Sequence, residues 1–189
     1  MSRQQAGAAL RWWRALVPDP HRANPVERAG DRAALARLRR CASLAEAMQE
    51  PETIALFRAC GGRDEHDLEP IALAAAVLAH VREDAPGQKV ARQLGPESPE
   101  QPETAVLKPL RFRRLLEARE PDDCLAAFRR LVALAGGTLN VADLAEALFA
   151  WRHLYRGDKV RREWVFAYWN ANPAPAQPAA PHAAEGTAA

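Results

Sequence analysis

The part of the sequence that most restricts the fold lies at residues 107–169. There, apolar residues recur at the three-to-four-residue spacing of an α-helix, with arginines beside them. Across the whole chain the apolar residues are mainly Ala and Leu, with few β-branched residues, and this also favours helices. At 189 residues and 48% apolar, the chain can form one domain or two small ones. We therefore predict an all-α protein, a compact helical bundle of two helical halves.

Before residue 95, helical periodicity and capping residues predict several elements. They are a helix at 4–17, a helix at 32–41 capped by Asp31, a turn begun by an S-x-x-E capping box at Ser43, a helix at 51–60, a helix at 69–83, and one more turn or short helix within 85–94. We expect the helix at 69–83 to be the most buried. The expected buried stripes are Leu10, Trp13 and Val17; Leu35, Leu38 and Ala42; Ile54 and Phe57; Leu73, Val77 and Val81; and Val90 with Leu94.

Residues 95–105 contain three prolines and three glutamates and are predicted to form a loop or linker between the two halves. After it, helices are expected from Pro109 to near Arg119, from Pro121 to a Gly-Gly stop at 136–137, from Asn140 to a break at Gly157, and from there to about Asn170. The predicted division is thus an N-terminal half at 1–94, the linker, and a C-terminal half at 106–170. The Ala/Pro-rich tail at 171–189 has no pattern that could bury a core, so we expect it to be disordered.

The charge of the chain is unevenly distributed, although the formal net charge is only +2. Residues 1–43 contain nine Arg and three acids, whereas residues 44–105 contain twelve acids and five bases. Residues 108–119 then contain five bases and one acid. This distribution predicts separate basic and acidic surfaces on one molecule.

No catalytic or phosphate-binding motif is present, and the five histidines are scattered. His66 lies in an acidic stretch that we interpret as a solvated loop, and His80 as a core or edge histidine rather than a metal ligand. Cys41, Cys60 and Cys124 are too far apart for a zinc site or a disulfide framework, so we expect reduced thiols in a cytoplasmic protein. The longest apolar run, residues 71–79, is too short to span a bilayer, and no signal-peptide pattern is present. We expect no enzymatic activity, no metal and no cofactor.

The five tryptophans and the paired arginines are the remaining signals. Trp13, Trp151 and Trp164 lie on apolar stripes, which favours core packing over base stacking; Trp12 and Trp169 are less committed. Several arginine clusters have few acids one helical turn away, so i, i+4 ion pairs explain them poorly. The planar guanidinium binds phosphate through two hydrogen bonds, although high genomic GC content would also enrich Arg. On composition alone, phosphate-backbone binding remains one of two open interpretations.

An ordered set of segments resembles one known family. It comprises a Trp-bearing first helix, the arginine-rich segment 31–40, an Ala/Leu central helix, the word Arg-Phe-Arg-Arg at 111–114, and segments 125–134, 140–144 and 160–169. The set resembles the CasB family, the small subunit of the type I-E CRISPR surveillance complex called Cascade, over roughly residues 8–170. The order of the segments carries the resemblance, because none of them is diagnostic alone.

The resemblance implies an all-helical, non-catalytic subunit. Family members pair with a second copy along the belly of the complex, beside the backbone subunits that hold the guide RNA. They help to hold the target strand and the displaced strand of the R-loop through basic patches, while a separate helicase-nuclease cuts. The implied partners are therefore other Cascade subunits (backbone and large), a second copy of this chain, and crRNA-bound target DNA with its displaced strand; no membrane is implied.

The resemblance also implies which basic residues contact nucleic acid or neighbouring subunits. The matching positions are Arg39 and Arg40 at the end of the second helix, Arg111, Arg113 and Arg114 in the Arg-Phe-Arg-Arg word, Arg129 and Arg130 in the following helix, and Lys159, Arg161 and Arg162 in the basic run before the last helix. The match does not separate DNA contacts from protein contacts.

Two other functions fit parts of the sequence. Residues 125–152 have the pattern of helix, Gly-Gly turn and helix, which is typical of a helix-turn-helix DNA-binding regulator. Against it, the second helix contains Asp143 and Glu146 and no Arg before Arg152. A purely structural helical adaptor, with its arginines used for protein contacts, is the second alternative.

Overall fold

The computed structural model describes residues 3–21, 23–24 and 28–171, and within these ranges it confirms the all-α prediction. The tail predicted at 171–189 lies outside the described residues except for Ala171. The elements are α1 (Arg3–Leu16), α2 (Arg32–Arg40), α3 (Leu44–Gln49), α4 (Pro51–Ala59), α5 (Glu65–Leu78), β1 (Glu83–Asp84), α6 (Val90–Leu94), α7 (Pro109–Glu117), α8 (Pro121–Leu134), β2 (Thr138–Leu139), α9 (Val141–Trp151) and α10 (Gly157–Tyr168), with a 3-10 turn at Pro102–Thr104.

Helix α5 lies at the centre of the fold. Every side chain from residue 71 to residue 79 is buried, and the helix contacts α2, α3, α4, α8 and α9. Its alanines allow these neighbours to approach closely. The predicted bounds of 69–83 are wrong at both ends. The helix begins at Glu65 because the Asp64 carboxylate accepts a hydrogen bond from the backbone N–H of His66 (3.0 Å). It ends at Leu78, and residues 83–84 form β1 instead.

Three predicted helix starts are confirmed by their capping hydrogen bonds. Oδ1 of Asp31 accepts from the N–H of Ala34 (2.8 Å) at α2, and Oγ of Ser43 accepts from the N–H of Glu46 (3.2 Å) at α3. Oδ1 of Asn140 accepts from the N–H of Asp143 (3.0 Å) at α9. Each bond satisfies an N–H that has no partner within its own helix, so these side chains determine where the helices begin.

A two-residue parallel pairing joins the segments that follow α5 and α8. Glu83 pairs with Thr138 and Asp84 with Leu139. Gly136 and Gly137 have φ angles of 68° and 82°, a left-handed conformation that ends α8 and directs the chain into β2. The sequence did not predict these strands, because two residues are too few to show an alternating pattern.

One hydrophobic cluster includes residues from both sides of the predicted linker. Helix α9 packs on α1 and α5, and Phe128, Trp151 and Trp164 join α8, α9 and α10 through edge-to-face contacts with ring centroids 4.9 to 5.8 Å apart. The burial of Trp13, Trp151 and Trp164 confirms the predicted core packing. The division into two halves at 95–105 stays a prediction.

On some helices the buried face differs from the one predicted from the sequence. Leu10, Val17, Ile54 and Phe57 are only partly buried, and Ala42 is exposed. Trp12 and Thr53 are buried instead, because backbone carbonyls satisfy their polar atoms. Nε1 of Trp12 donates to the carbonyl of Glu52 (3.0 Å), and the Thr53 hydroxyl donates to that of Ala47 (2.6 Å).

The packing of α6 against α10 leads to a test of stability. A Cβ at Gly95 would lie 2.0 Å from the carbonyl oxygen of Tyr168, so we expect Gly95→Ala to lower the free energy of unfolding by about 1–3 kcal/mol. Gly87→Ala is the matched control, because nothing lies within 4 Å of its added Cβ. Urea denaturation of both variants would measure the difference. Equal stability would show that the approach of Gly95 to α10 is not close in solution.

Candidate nucleic-acid interface

The ten predicted basic residues divide into those that bind the chain's own backbone and those that do not. Arg129 on α8 belongs to the first group. Its two Nη atoms donate to the carbonyls of Cys41 (2.7 Å) and Leu38 (2.9 Å), at the C-terminal end of α2. These carbonyls have no partner within α2, so a cation is favourable there. Burial lowers the pKa of Arg129, yet an arginine remains charged at neutral pH.

Arg161 makes a similar contact at the end of α9. Its side chain is largely buried, with Nη2 donating to the carbonyl of Trp151 (2.8 Å) and Cζ 5.0 Å from the centroid of the Trp151 ring. Asp158 lies 3.4 Å from Nη1. Arg39 is intermediate, because Nε donates to the carbonyl of Ala79 (2.6 Å) after α5 while the side chain stays exposed. Because Arg129 and Arg161 bind the chain's own backbone, we do not count them among the residues available to bind nucleic acid.

The second group consists of exposed guanidinium groups. Six of the predicted arginines have side chains that make neither a hydrogen bond nor an ion pair with any described residue: Arg40, Arg111, Arg113, Arg114, Arg130 and Arg162. Lys159 is also exposed, but its Nζ lies 3.8 Å from a carboxylate oxygen of Glu163. The unpaired guanidinium groups can bind an external anion without breaking an existing contact.

The structure brings three of these residues to one groove. Arg111 and Arg114 on α7 and Arg130 on α8 line a cavity of about 420 Å³, with Leu115 and Leu131 at its base. Residues 111 and 114 share a face because they are three positions apart on one helix. Glu117 and Asp123 also line this cavity, so its three guanidinium groups stand beside two carboxylates and leave a formal net charge of +1. We call it the α7–α8 basic groove.

The other unpaired residues lie elsewhere. Arg40 is at the C-terminal end of α2, which lies against α8 through the Arg129 hydrogen bonds. Arg113 points to the opposite side of α7 from Arg111 and Arg114, into an apolar groove that it shares with Val165 of α10 and with Trp169, which directly follows α10. Arg162 lines the adjoining surface of α10. The sequence cluster 111–114 is therefore split between two surfaces by the helical turn.

One basic surface was missed by the sequence patterns. Arg11, Arg58 and Arg63 surround an open cavity of about 800 Å³ between α1 and the loop that joins α4 to α5, together with Asp64 and Asp67. None of these arginines has a basic residue next to it in the sequence, so a search for paired arginines could not find them. The excess of Arg over acids in residues 1–43 was an available signal for Arg11 alone.

The three cysteines lie in the core rather than at a reactive surface. Cys41, Cys60 and Cys124 are buried and form no disulfide, and burial raises the pKa of Cys60 and of Cys124 to about 11. Such thiols are poor nucleophiles at neutral pH. Within the described ranges, no three His, Cys, Asp or Glu side chains converge on a point where a metal ion could bind. Nor does any described helix have the length and apolar character needed to cross a membrane.

His80 lies near Arg129 and Arg39, close enough for their charges to affect its imidazole. Burial, together with the positive charges of Arg129 and Arg39, lowers the pKa of His80 to about 4. Its Nε2 is buried without a hydrogen-bond partner in the described part of the chain. The imidazole is therefore neutral at pH 7, and it contributes no charge to the basic surface.

The helix-turn-helix alternative does not fit the structure. In such a regulator the second helix must expose one face to the major groove. Here that helix would be α9, whose side chains at 144–145 and 147–151 are all buried against α1, α5 and α10. Its exposed acid, Glu146, would oppose phosphate. The predicted helix, Gly-Gly turn and second helix are present, but the second helix, α9, is part of the core.

Comparison with known proteins gives one family match. The family model described as CRISPR-associated protein Cse2 matches residues 34–169. No curated protein sequence matches this chain significantly.

Two solved structures resemble the fold. A CRISPR-associated protein of the Cse2 family from Thermus thermophilus has a TM-score of 0.60 at 25% identity, over 87% of this chain and 97% of that chain. A chain of E. coli Cascade bound to a PAM-containing dsDNA target has a TM-score of 0.57 at 19% identity, over 88% of this chain and 97% of that chain. The second likeness, at 19% identity, shows the fold alone.

The division of the arginines can be tested with two adjacent residues of α8. Arg129→Ala removes both hydrogen bonds to the end of α2, so we expect the free energy of unfolding to fall by about 1.5–3 kcal/mol. Arg130→Ala is the matched control, because its exposed side chain has no partner in the described chain; we expect a change within about 0.5 kcal/mol. Urea denaturation measures both. Similar losses for the two variants would contradict the division.

The environment of His80 predicts a pH dependence of stability. Between about pH 6.5 and pH 4 the unfolded chain binds a proton at His80 that the folded chain does not. The free energy of unfolding should therefore fall as the pH is lowered through this window, by on the order of 1–2 kcal/mol after allowance for solvent. His80→Gln should remove this part of the pH dependence, so the difference between wild type and variant should change across the window. Parallel pH profiles for the two proteins would refute the assignment.

Proposed function

This chain belongs to the Cse2 family of CRISPR-associated proteins, and we propose that it acts as the small subunit of a type I-E Cascade complex. The Cse2 family is also called CasB, so the resemblance predicted from the ordered segments is confirmed. In this role the chain stabilises crRNA-guided binding of target DNA. It does so by contacts to the nucleic-acid backbone and to neighbouring subunits in antiviral defence.

The observation that carries the proposal is the α7–α8 basic groove. Arg111, Arg114 and Arg130 converge there from two helices, and none has a hydrogen bond or ion pair within the described residues. Guanidinium groups bind phosphate oxygens through paired hydrogen bonds, and such contacts do not depend on base sequence. Arg40, exposed at the end of α2, is a further unpaired guanidinium group outside this groove. Arg39 keeps two Nη groups available beside it.

The physical effect follows from the near balance of R-loop formation. The RNA–DNA duplex that forms is about as stable as the DNA duplex that it replaces, so modest backbone contacts can shift the equilibrium. A subunit that binds the separated strands lowers the free energy of the open state only. Base pairing with the guide supplies specificity, and contacts to phosphate leave that specificity unchanged.

The proposal includes a non-catalytic role and a set of partners. The three buried thiols and the neutral, half-buried His80 offer no exposed activated nucleophile, which supports a binding role without deciding it. The partners are the other Cascade subunits, a second copy of this chain, and crRNA-bound target DNA with its displaced strand. The complex acts in the cytoplasm, where the target DNA is found.

The basic groove leads to a quantitative prediction for DNA binding. We expect a Cascade complex assembled with the Arg111→Gln/Arg114→Gln/Arg130→Gln variant to bind target DNA more weakly and with a smaller salt dependence. Three lost phosphate contacts should reduce the slope of log K against log salt by about 2, and the wild-type advantage should shrink by about 15-fold between 50 and 200 mM salt. Titration of labelled target DNA across a salt series measures both.

Two controls separate charge from folding and from assembly. The Arg111→Lys/Arg114→Lys/Arg130→Lys variant keeps the charge and should keep most of the salt slope, while losing the paired geometry. Complexes assembled without this chain give the baseline. An unchanged slope in the Gln variant, at equal incorporation of the subunit, would mean that these arginines serve protein contacts and would favour the structural adaptor.

A further inference from the structure

A second surface of the molecule is apolar and lies on the far side of α7 from the basic groove. Its exposed members are Leu110 on α7 and Val165 and Phe166 on α10, with exposed fractions of 60%, 38% and 49%. Leu116 and Trp169 are partly buried beside them. We call this surface the α7–α10 apolar face. Monomeric proteins rarely leave several large apolar side chains together in water without an interaction to make.

The spacing of apolar residues along α7 and α10 produces this face. Leu110, Arg113 and Leu116 are three positions apart and line the side of α7 that faces α10. Val165 on α10 and Trp169, the residue that caps its C-terminus, are four positions apart. Beneath them, the rings of Phe112 and Tyr168 stack with centroids 3.8 Å apart, and the Tyr168 hydroxyl donates to the carbonyl of Leu107 (2.6 Å). The exposed side chains therefore stand on a buried and hydrogen-bonded base.

Two shallow grooves of about 350 and 370 Å³ run along the face and share Val165 and Trp169. No carboxylate lines either groove in the described part of the chain. Three arginines line them: the largely buried Arg161, which binds the Trp151 carbonyl, and the exposed pair Arg113 and Arg162. Neither guanidinium of this exposed pair has a hydrogen bond or ion pair within the described residues. The face thus combines an apolar floor with unpaired positive charge at its rim, as in the core and rim of a protein interface.

We propose that the α7–α10 apolar face binds a helix of a neighbouring Cascade subunit that presents apolar side chains flanked by carboxylates. This inference rests on the proposed function and adds a partner class and a site to it. Three of the five apolar residues of the face, Leu110, Leu116 and Val165, are aliphatic and can neither stack on a base nor bind phosphate, so the floor suits a protein better than a nucleic acid. A groove between two helices accepts the side-chain ridge of a third helix. The unpaired charges of Arg113 and Arg162 select carboxylates beside that ridge.

Photo-crosslinking in the assembled complex tests the occupant directly. Phe166→p-benzoylphenylalanine keeps an aromatic side chain on the face, and the same replacement at Leu154, 79% exposed in the turn after α9, is the matched control. We expect the probe at 166, and not the one at 154, to join a peptide of another subunit that contains apolar residues next to Asp or Glu. Attachment to DNA or crRNA, to a second copy of this chain, to its own residues 172–189, or to nothing would overturn the proposal.

Charge and packing variants test the recognition chemistry. Leu110→Ser/Phe166→Ser and, separately, Arg113→Glu/Arg162→Glu should each reduce retention of the subunit in the purified complex by roughly tenfold or more. Arg111→Gln/Arg114→Gln/Arg130→Gln should be retained like wild type, because those residues lie on the other side of α7. Full retention of either of these two variants of the α7–α10 apolar face would refute this inference while leaving the DNA-binding role intact. A wild-type chain that does not enter the complex would instead refute the proposed function, and this inference with it.

Discussion

The complete burial of α5 is the constraint on which the rest of the structure depends. A helix with apolar or small side chains on every side from residue 71 to residue 79 is stable only when other helices surround it. Helices α2, α3, α4, α8 and α9 do this, and their directions then determine where α7 and α10 can lie. The proposed functional surfaces are consequently carried by the outer helices, whereas the buried stretch of the central helix, residues 71–79, contributes packing.

Surrounding one helix with others leaves several helix ends inside the molecule, where their carbonyls cannot reach water. Arg39, Arg129 and Arg161 donate to such carbonyls after α5, α2 and α9. The same residue type therefore has two uses in this chain. A guanidinium that finds a carbonyl stabilises the fold, and one that finds none, such as Arg130, remains available for an external anion. Adjacent residues on one helix can have opposite uses because they differ by about 100° around its axis.

Local features of the fold could be predicted from the sequence, and long-range ones could not. Asp31, Ser43 and Asn140 signal their helix starts because a cap and its N–H are two or three residues apart. The core positions of tryptophans follow from helical spacing. By contrast, Arg129 finds its acceptor 91 residues away at Leu38, so no pattern within α8 distinguishes it from its neighbour. Which surface each arginine of residues 111–114 joins depends on where α8 and α10 lie. Arg111 and Arg114 face α8, whereas Arg113 faces α10.

The position of α9 has a consequence for the order in which the chain can fold during synthesis. Helix α9 covers the apolar faces of both α1 and α5, yet it lies more than sixty residues downstream of them. While the first 140 residues are emerging from the ribosome, those faces have no native cover. Stable burial must wait until residues 141–151 are made, so the nascent N-terminal segment is a natural substrate for chaperones that hold exposed apolar chain.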